Sequence, residues 1–334
     1  VLQDVYTPPL DMILSNHLLG PEMQKYFRKL YFQARQAAES LCERCNISPA
    51  LLGTLAEVPI KFHFNSYSFE GGKRKWMSSQ SSKVTHDCNP NTALVEHDGQ
   101  ACHIALRTIK PGERITTTYV PLMWPRSLRR KQLLWEHGFL CTCSRCLGPD
   151  YSRAFPCIRC NPDVASFSTE RPRRSQEGSW SPPRRHSTYN SSSIYLTFEN
   201  VTQNIPHVHC YGDLWDLHDQ APWRCENCKA MLSPNQVGVN LNDESELSNH
   251  VQRLCVGAGW LQMDGDELQA LYRRAAGLVG HRHWATVKCR EMLVLRAIKY
   301  PLPEDELVEH ILEVVQWFML YGDVSLFMLA MHTC

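Results

Sequence analysis

The sequence carries almost no net charge. Its 35 Lys and Arg residues stand against 34 Asp and Glu, which leaves +1 over 334 residues. That balance excludes a mainly electrostatic nucleic-acid binder, whose footprint is clearly basic. Also lacking is any apolar run approaching the roughly 18 residues that a membrane span needs. No basic segment followed by an apolar stretch opens the chain, so no secretory signal is visible. Because it starts at Val1 rather than Met, the chain is expected to be a fragment of a longer one. What it has in unusual number is cysteine, 15 in all. In a secreted protein an odd count would suggest disulfides plus a spare thiol. Without a secretory signal, reduced thiols are the default, and close clusters of them read as metal sites.

The length fits two or three domains at about 100–200 residues each. Residues 1–50 read as helical: Tyr26, Phe27, Leu30, Phe32 and Ala34 recur among Lys, Arg and Gln, and Pro21 after Gly20 suits a helix start. The segment Pro59 to Asn65 alternates apolar with polar residues and predicts a strand, followed by a polar loop at Gly71 to Lys75. Ala93–Glu96 and Cys102–Arg107 flank Asp98-Gly99, a strong hairpin signal because glycine readily takes the positive φ of such turns. The β-branched run from Ile115 to Val120 predicts a further strand, and Arg126 to His137 a helix. Residues 161–222 form an excursion, rich in Arg, Ser and Pro from 172 to 190, that is not expected to pack a core. Two glycosylation-like triplets lie in it, at Asn190 and Asn200, and the missing secretory signal argues against their use. From about Asp243 the chain reads helical again, with leucine periodicity at Leu268, Leu271 and Leu278 and then at Leu307, Ile311 and Val314.

Cysteine spacing carries the chemistry. Cys141-Thr142-Cys143-Ser144-Arg145-Cys146 is a C-x-C-x-x-C triplet that can fold around one zinc ion, with a fourth ligand supplied from elsewhere. Cys157/Cys160 and Cys225/Cys228 are two C-x-x-C knuckles that can close a second four-cysteine site across the excursion. Incidental thiols or a redox pair are the alternative. A third C-x-x-C, Cys42/Cys45, lies in a predicted helix with no partner knuckle left, and reads as plain thiols. His207, His209 and Cys210 read as part of a solvated loop. His281 and His283 read no differently. Cys102, Cys255, Cys289 and Cys334 read as packed small side chains.

Three segments taken in order extend this reading: Thr85-His86-Asp87-Cys88-Asn89-Pro90-Asn91-Thr92, Gly112-Glu113-Arg114-Ile115-Thr116-Thr117-Thr118-Tyr119, and Phe139 through Cys146. Together they resemble the C-terminal half of a SET domain with its post-SET zinc loop. The second knuckle pair and the helical tail resemble the SET-and-MYND (SMYD) protein-lysine methyltransferases. The resemblance is good over residues 55–150, extends to 235 through the ribbon, and to 334 only in helical character. It implies that His86 sits under the methyl donor S-adenosylmethionine (SAM), with Thr85 beside it where the family has asparagine. It implies that Cys88 is the fourth ligand to the zinc held by Cys141, Cys143 and Cys146. It further implies that Tyr119 lines the lysine channel and orients the amine, that Phe139 packs on the SAM adenine, and that Asn65 contacts SAM.

The implied fold class is α+β. Residues 1–54 form a helical insert or N-terminal part of the SET region, 55–124 the C-terminal half of the SET β-fold, and 125–149 the zinc loop. Residues 150–238 form a zinc ribbon with a disordered insert at 161–222, and 239–334 an α-helical region. The implied activity is SAM-dependent methylation of histone or non-histone lysines, in chromatin or transcription regulation. The cofactors would be SAM and two zinc ions, the partner a protein substrate, and the compartment cytoplasmic and nuclear, with neither membrane nor direct DNA binding. Two departures motivate an alternative. Thr85 offers one hydroxyl where the family asparagine both donates and accepts. Neither a Gly-x-Gly SAM loop before residue 50 nor MYND cysteines are visible. On that reading the chain is a catalytically degenerate, zinc-stabilised interaction module or corepressor. A DNA-binding zinc protein, suggested by the Arg-rich 171–185, is not supported by the charge balance.

Overall fold

The computed structural model describes residues 5, 8–16, 19–69, 74–97, 100–160, 207–210, 223–256 and 259–319. The Arg-rich segment, both glycosylation-like triplets, most of the excursion, Gly71–Lys73, Asp98-Gly99 and Cys334 lie outside the described residues. The chain divides into two compact units: one of residues 1–152 with 212–219 and 308–334, the other of 153–211 with 220–307.

The first unit opens with helices α1 (Leu10–Leu14), α2 (Pro21–Cys45) and α3 (Leu52–Asn65). Pro21 takes the first position of α2, where its missing N–H costs nothing, and Asn46 closes the helix in the left-handed conformation. Cys42 and Cys45 fall on its last turn, Cys45 exposed. Phe27, fully buried, gathers Ile13, Leu19 and Leu134 around it, with Phe64 stacked at 6.1 Å. Phe27→Ala is therefore expected to cost about 3–5 kcal/mol of unfolding free energy, measurable by urea titration.

Helix α3 corrects the strand expected over Pro59–Asn65. Leu52, Leu55, Ala56, Ile60 and Phe64 are all sheltered and recur at helical spacing, and Lys61 is buried beside Ile60. Phe62, which alternation would bury, stays 38% exposed. The chance alternation of seven residues lies inside a longer helical period, and packing on α2 decides the outcome.

Short strands follow. β1 (Tyr67–Phe69) pairs antiparallel with β2 (Arg74–Trp76), and β3 (Thr85–His86) comes next. β4 (Thr92–His97) and β5 (Gln100–Ala105) form the expected hairpin, antiparallel with His97 opposite Gln100. β6 (Thr116–Thr117) lies parallel to β3. The six-residue strand predicted at Ile115–Val120 is thus cut to two. Thr118 ends it locally, because its hydroxyl donates to the Val120 carbonyl at 2.5 Å and accepts the Val120 N–H at 3.3 Å. Helix α4 (Arg126–His137) ends on Gly138, whose φ of 73° turns the chain toward Phe139, and α5 (Ser144–Leu147) carries the last cysteine of the triplet.

The second unit holds a four-stranded antiparallel sheet in the order β10-β9-β8-β7, from β7 (Ala154–Pro156), β8 (His207–Cys210), β9 (Trp223–Cys225) and β10 (Met231–Leu232). β8 replaces the loop expected at His207–Cys210: its backbone groups pair with β7 and β9 on both sides, which the local sequence does not announce. Helices α6 (Leu241–Val256), α7 (Gly265–Val279) and α8 (Trp284–Ala297) follow, and α9 (Glu304–Met319) ends the described chain. α7 starts on a capping box, Asp264 with Glu267, and buries Leu268 and Leu271 of the predicted stripe together with Tyr272, Ala275 and Val279, while Leu278 is half-buried. Cys289 is buried on α8 as a packed thiol, while Cys102 and Cys255 are only partly buried.

Glu244 ties the sheet to the helices. It accepts Arg153 Nη2 at 2.8 Å, faces His283 Nε2 at 3.2 Å and accepts the Ser248 hydroxyl at 3.3 Å. His283, read from sequence as an incidental histidine, is thus a buried partner stacked on Phe155. Burial by itself would raise the Glu244 carboxyl. The His283 hydrogen bond and the Arg153 charge overturn this and hold it at about 2, against an ordinary 4.5. A depressed carboxyl stabilises the fold above its unfolded value, and that contribution disappears as pH falls through the folded one. Stability is expected to decline between about pH 4.5 and pH 2, and Glu244→Gln to flatten that decline. Thermal melts of both proteins across this range check it.

Candidate cofactor site and cysteine clusters

Asn91, fully sheltered in the turn before β4, joins two of the motifs. Its Nδ2 donates to the Arg114 carbonyl at 2.8 Å and to Glu113 Oε1 at 3.1 Å, and its Oδ1 accepts the Thr116 N–H at 2.8 Å. Glu113 also accepts from Arg107 and from the Lys110 N–H, which hold its carboxyl down at about 2. This clamp seats β6 beside β3 and so fixes Tyr119 next to His86. Sequence reading missed Asn91, although it is the last residue of the Cys-Asn-Pro-Asn run.

His86 has a defined tautomer. Its Nδ1 accepts the Tyr119 backbone N–H at 3.1 Å, so the ring proton resides on Nε2, 3.2 Å from Cys88 Sγ. Burial holds this imidazole neutral, at about 4. Tyr119 donates its hydroxyl hydrogen to the Val84 carbonyl at 2.6 Å. Its ring lies 5.4 Å from His86, 4.8 Å from His137 and 6.4 Å from Tyr67. Phe139 closes the group at 6.1 Å from His86 and 6.2 Å from His137. Burial pushes the Tyr67 and Tyr119 phenols up, and pushes His137 down to about 4 with help from His63 and His86. All four groups are uncharged at neutral pH. Tyr67 and His137 went unnoticed in the sequence, although Tyr67 stands two residues after Asn65 and His137 four before Cys141.

The structure brings Thr85, His86, Tyr119 and Phe139 into one neighbourhood. Thr85 Oγ1 is buried and has no hydrogen-bond partner among the described residues. An orphaned buried hydroxyl is the kind of group a bound ligand satisfies. With the uncharged rings of His86, Tyr119 and Phe139 nearby, the residues present fit a polar cofactor carrying an adenine. Asn65 sits at the last position of α3, its amide donating to the Lys61 carbonyl at 3.0 Å.

The cysteines form two clusters among the described residues, each with its four sulfurs within 4.8 Å of one another. Cys88, Cys141, Cys143 and Cys146 make the first, with Cys88 at 4.0 Å from Cys141 and 3.5 Å from Cys146. Cys157, Cys160, Cys225 and Cys228 make the second, with Cys157–Cys228 at 3.9 Å and Cys160–Cys225 at 3.8 Å. A tetrahedral zinc–thiolate site with bonds of about 2.3 Å sets its sulfurs about 3.8 Å apart. Both donor sets therefore fit zinc. Beside the second cluster, Gly238 adopts φ of 80°, and a Cβ there would clash with the Ile158 side chain inside the first knuckle. The Ala230 backbone N–H leads in holding Cys228 down at about 7.

Comparison with known proteins agrees with this geometry. A model of the SET domain matches residues 12–120, so the chain contains a SET domain of mixed helix and strand, with two clusters able to bind zinc and a helical C-terminal region. A histone-lysine N-methyltransferase of Saccharomyces cerevisiae, SET5, is 38% identical over 86 residues, 25% of this chain and 15% of that protein. The human N-lysine methyltransferase SMYD2 is 33% identical over 72 residues, 21% of this chain and 16% of that one. A SET domain-containing protein of Acanthamoeba polyphaga mimivirus is 32% identical over 90 residues, 27% and 34% of the two chains. The matched part spans about a third or less of each relative's length. No helix among the described residues is long and apolar enough to cross a membrane.

Proposed function

We propose that this chain is the SET and zinc-binding part of a SAM-dependent protein-lysine N-methyltransferase of the SET-and-MYND type. The observation that carries the reading is Tyr119. Its hydroxyl hydrogen is committed to Val84, and beside the Tyr67 hydroxyl that bonds it, its oxygen keeps a lone pair able to accept from an incoming amine. An amine held by that acceptor has its lone pair fixed in direction, and positioning of this kind supplies much of the rate of a displacement. SAM, when bound, supplies the electrophilic methyl group. Thr85, His86, Phe139 and Asn65 would hold it, with Thr85 Oγ1 gaining its missing partner. The neutral His86, His137 and Tyr67 keep the site free of fixed charge, which disfavours an ammonium and favours the neutral amine that reacts. Two zinc ions, one per cluster, would order the chain around Phe139 and the ribbon, since metal binding here is folding energy. The substrates would be histone or other protein lysines, with a role in chromatin in the nucleus or cytoplasm.

The test is transfer of labelled methyl from SAM to lysine peptides and histones by the purified chain, with calorimetry of SAM binding alongside. Transfer supports the reading. No SAM binding by zinc-replete protein contradicts it and favours a zinc-stabilised interaction module. That second reading draws on Thr85, whose hydroxyl replaces the two-way hydrogen bonding of an asparagine amide.

A further inference from the structure

The two cysteine clusters differ in what surrounds them. Four thiolates around one zinc ion leave two net negative charges, which are costly to bury without compensation. The first cluster is buried at Cys88, Cys141 and Cys146. It is roofed by α4, where Arg126, Arg129 and Arg130 are essentially fully buried. Arg129 Nη2 donates to Cys146 Sγ at 3.8 Å, and its Nη1 donates to the Trp124 carbonyl and lies 3.9 Å from Asp150. Arg130 donates to the carbonyls of Cys141 and Cys146, both at 3.1 Å. Arg126 donates to the Gly148 carbonyl at 2.9 Å, and Arg145 to the Cys88 carbonyl at 3.0 Å. The second cluster has an exposed Cys228 and a partly exposed Cys160. Its described donors are backbone amides of the knuckles and the Asn227 side chain, 3.8 Å from Cys160 Sγ.

We propose that Arg129 is the buried counter-charge of the Cys88/Cys141/Cys143/Cys146 zinc centre, a positioning residue that makes this ion slow to exchange while the ribbon ion exchanges readily. The inference rests on the reading that both clusters hold zinc. Arg130, Arg126 and Arg145 donate to loop carbonyls, and Arg129 donates to a sulfur. A guanidinium suits this place because one face of its fork reaches the sulfur while the other stays on Trp124 and Asp150. The sequence supports the division of labour: Arg126, Arg129 and Arg130 lie at helical spacing on one face of an otherwise ordinary basic helix, where a solvated face is the usual expectation.

Zinc release from the full chain into an excess of chromophoric chelator tests this. Two phases of one ion each are expected, the slow one from the first cluster. Arg129→Met is expected to speed the slow phase by about 10–100-fold and to leave the fast phase unchanged. In the cobalt-substituted protein the same variant is expected to shift the sulfur-to-metal charge-transfer band, a readout that general loosening of the fold would not move. An unchanged slow phase in an Arg129→Met protein with two bound ions overturns the proposal. Should that variant fail to fold, Arg129→Lys decides: it keeps the charge without the fork, and an unshifted cobalt band overturns the hydrogen bond to Cys146. Wild-type chain that holds only one ion, and still holds it after Cys146→Ser, overturns the zinc reading of the cluster itself and is thereby distinguished.

Discussion

Changing Cys146 to serine is expected to lower bound zinc from two ions per chain to one and to unfold the loop that carries Phe139. Cys146 is fully buried, 3.5 Å from Cys88 Sγ, and its sulfur accepts Arg129. A serine hydroxyl is a poor zinc ligand and leaves the Arg129 guanidinium facing an empty, buried site. The apparent binding free energy of a structural zinc is about 10 kcal/mol or more, and a three-ligand site keeps only part of it. The consequence reaches beyond the loop. Cys88 contacts His86, His86 accepts the Tyr119 N–H, and Phe139 stands two residues before Cys141. Elemental analysis and a thermal melt check the result, with SAM calorimetry as the functional readout. Two ions retained in the variant contradict the ligand set. The matching change in the ribbon, Cys225→Ser, is expected to remove one ion and leave the proposed SAM site intact, because Cys225 belongs to the other compact unit.

Replacing Tyr119 with phenylalanine is expected to lower methyl transfer by about 10²–10³-fold, the size seen when one positioned hydroxyl or amide is removed from a reacting centre. SAM affinity is expected to hold, since the backbone N–H that orients His86 survives the substitution. The fold is expected to lose only about 1 kcal/mol, from the Val84 carbonyl left without its donor. Rate, SAM calorimetry and melting point together separate these effects. Full activity in the variant leaves the hydroxyl without an essential role and removes the observation on which the proposed function rests. Unchanged rate with weakened SAM binding reassigns Tyr119 to the cofactor.

Some of the site is legible from residue types and spacing. Two C-x-x-C knuckles are a local statement: each follows a strand and each turn presents two sulfurs, so their pairing into a ribbon can be read across any length of intervening chain. The Asp98-Gly99 hairpin and the α4 helix are local in the same sense, set by turn chemistry and by apolar period. The partner of the Cys141–Cys146 triplet is not local. Cys88 reaches it only because β3 lies on β6 and the Asn91 clamp holds the turn between them. Likewise, nothing in Pro59–Asn65 tells a reader that α2 is waiting to bury the Ile60 and Phe64 side of a helix rather than the alternate face of a strand.

The sequence by itself determined the short-range features: the cysteine triplet and the two knuckles, the start of α2 at Pro21, the span of α4, and the motif trio around Tyr119. Those follow from φ/ψ preference, capping and periodicity within a few residues. Only the tertiary structure decided the electrostatics. The near-zero net charge of the chain conceals three arginines at zero exposure over one cysteine cluster and a glutamate held at about 2 by Arg153 and His283. Charge composition counts residues, whereas the energy of a buried charge depends on what stands within a few ångströms of it, and that is fixed by contacts between segments distant in the chain.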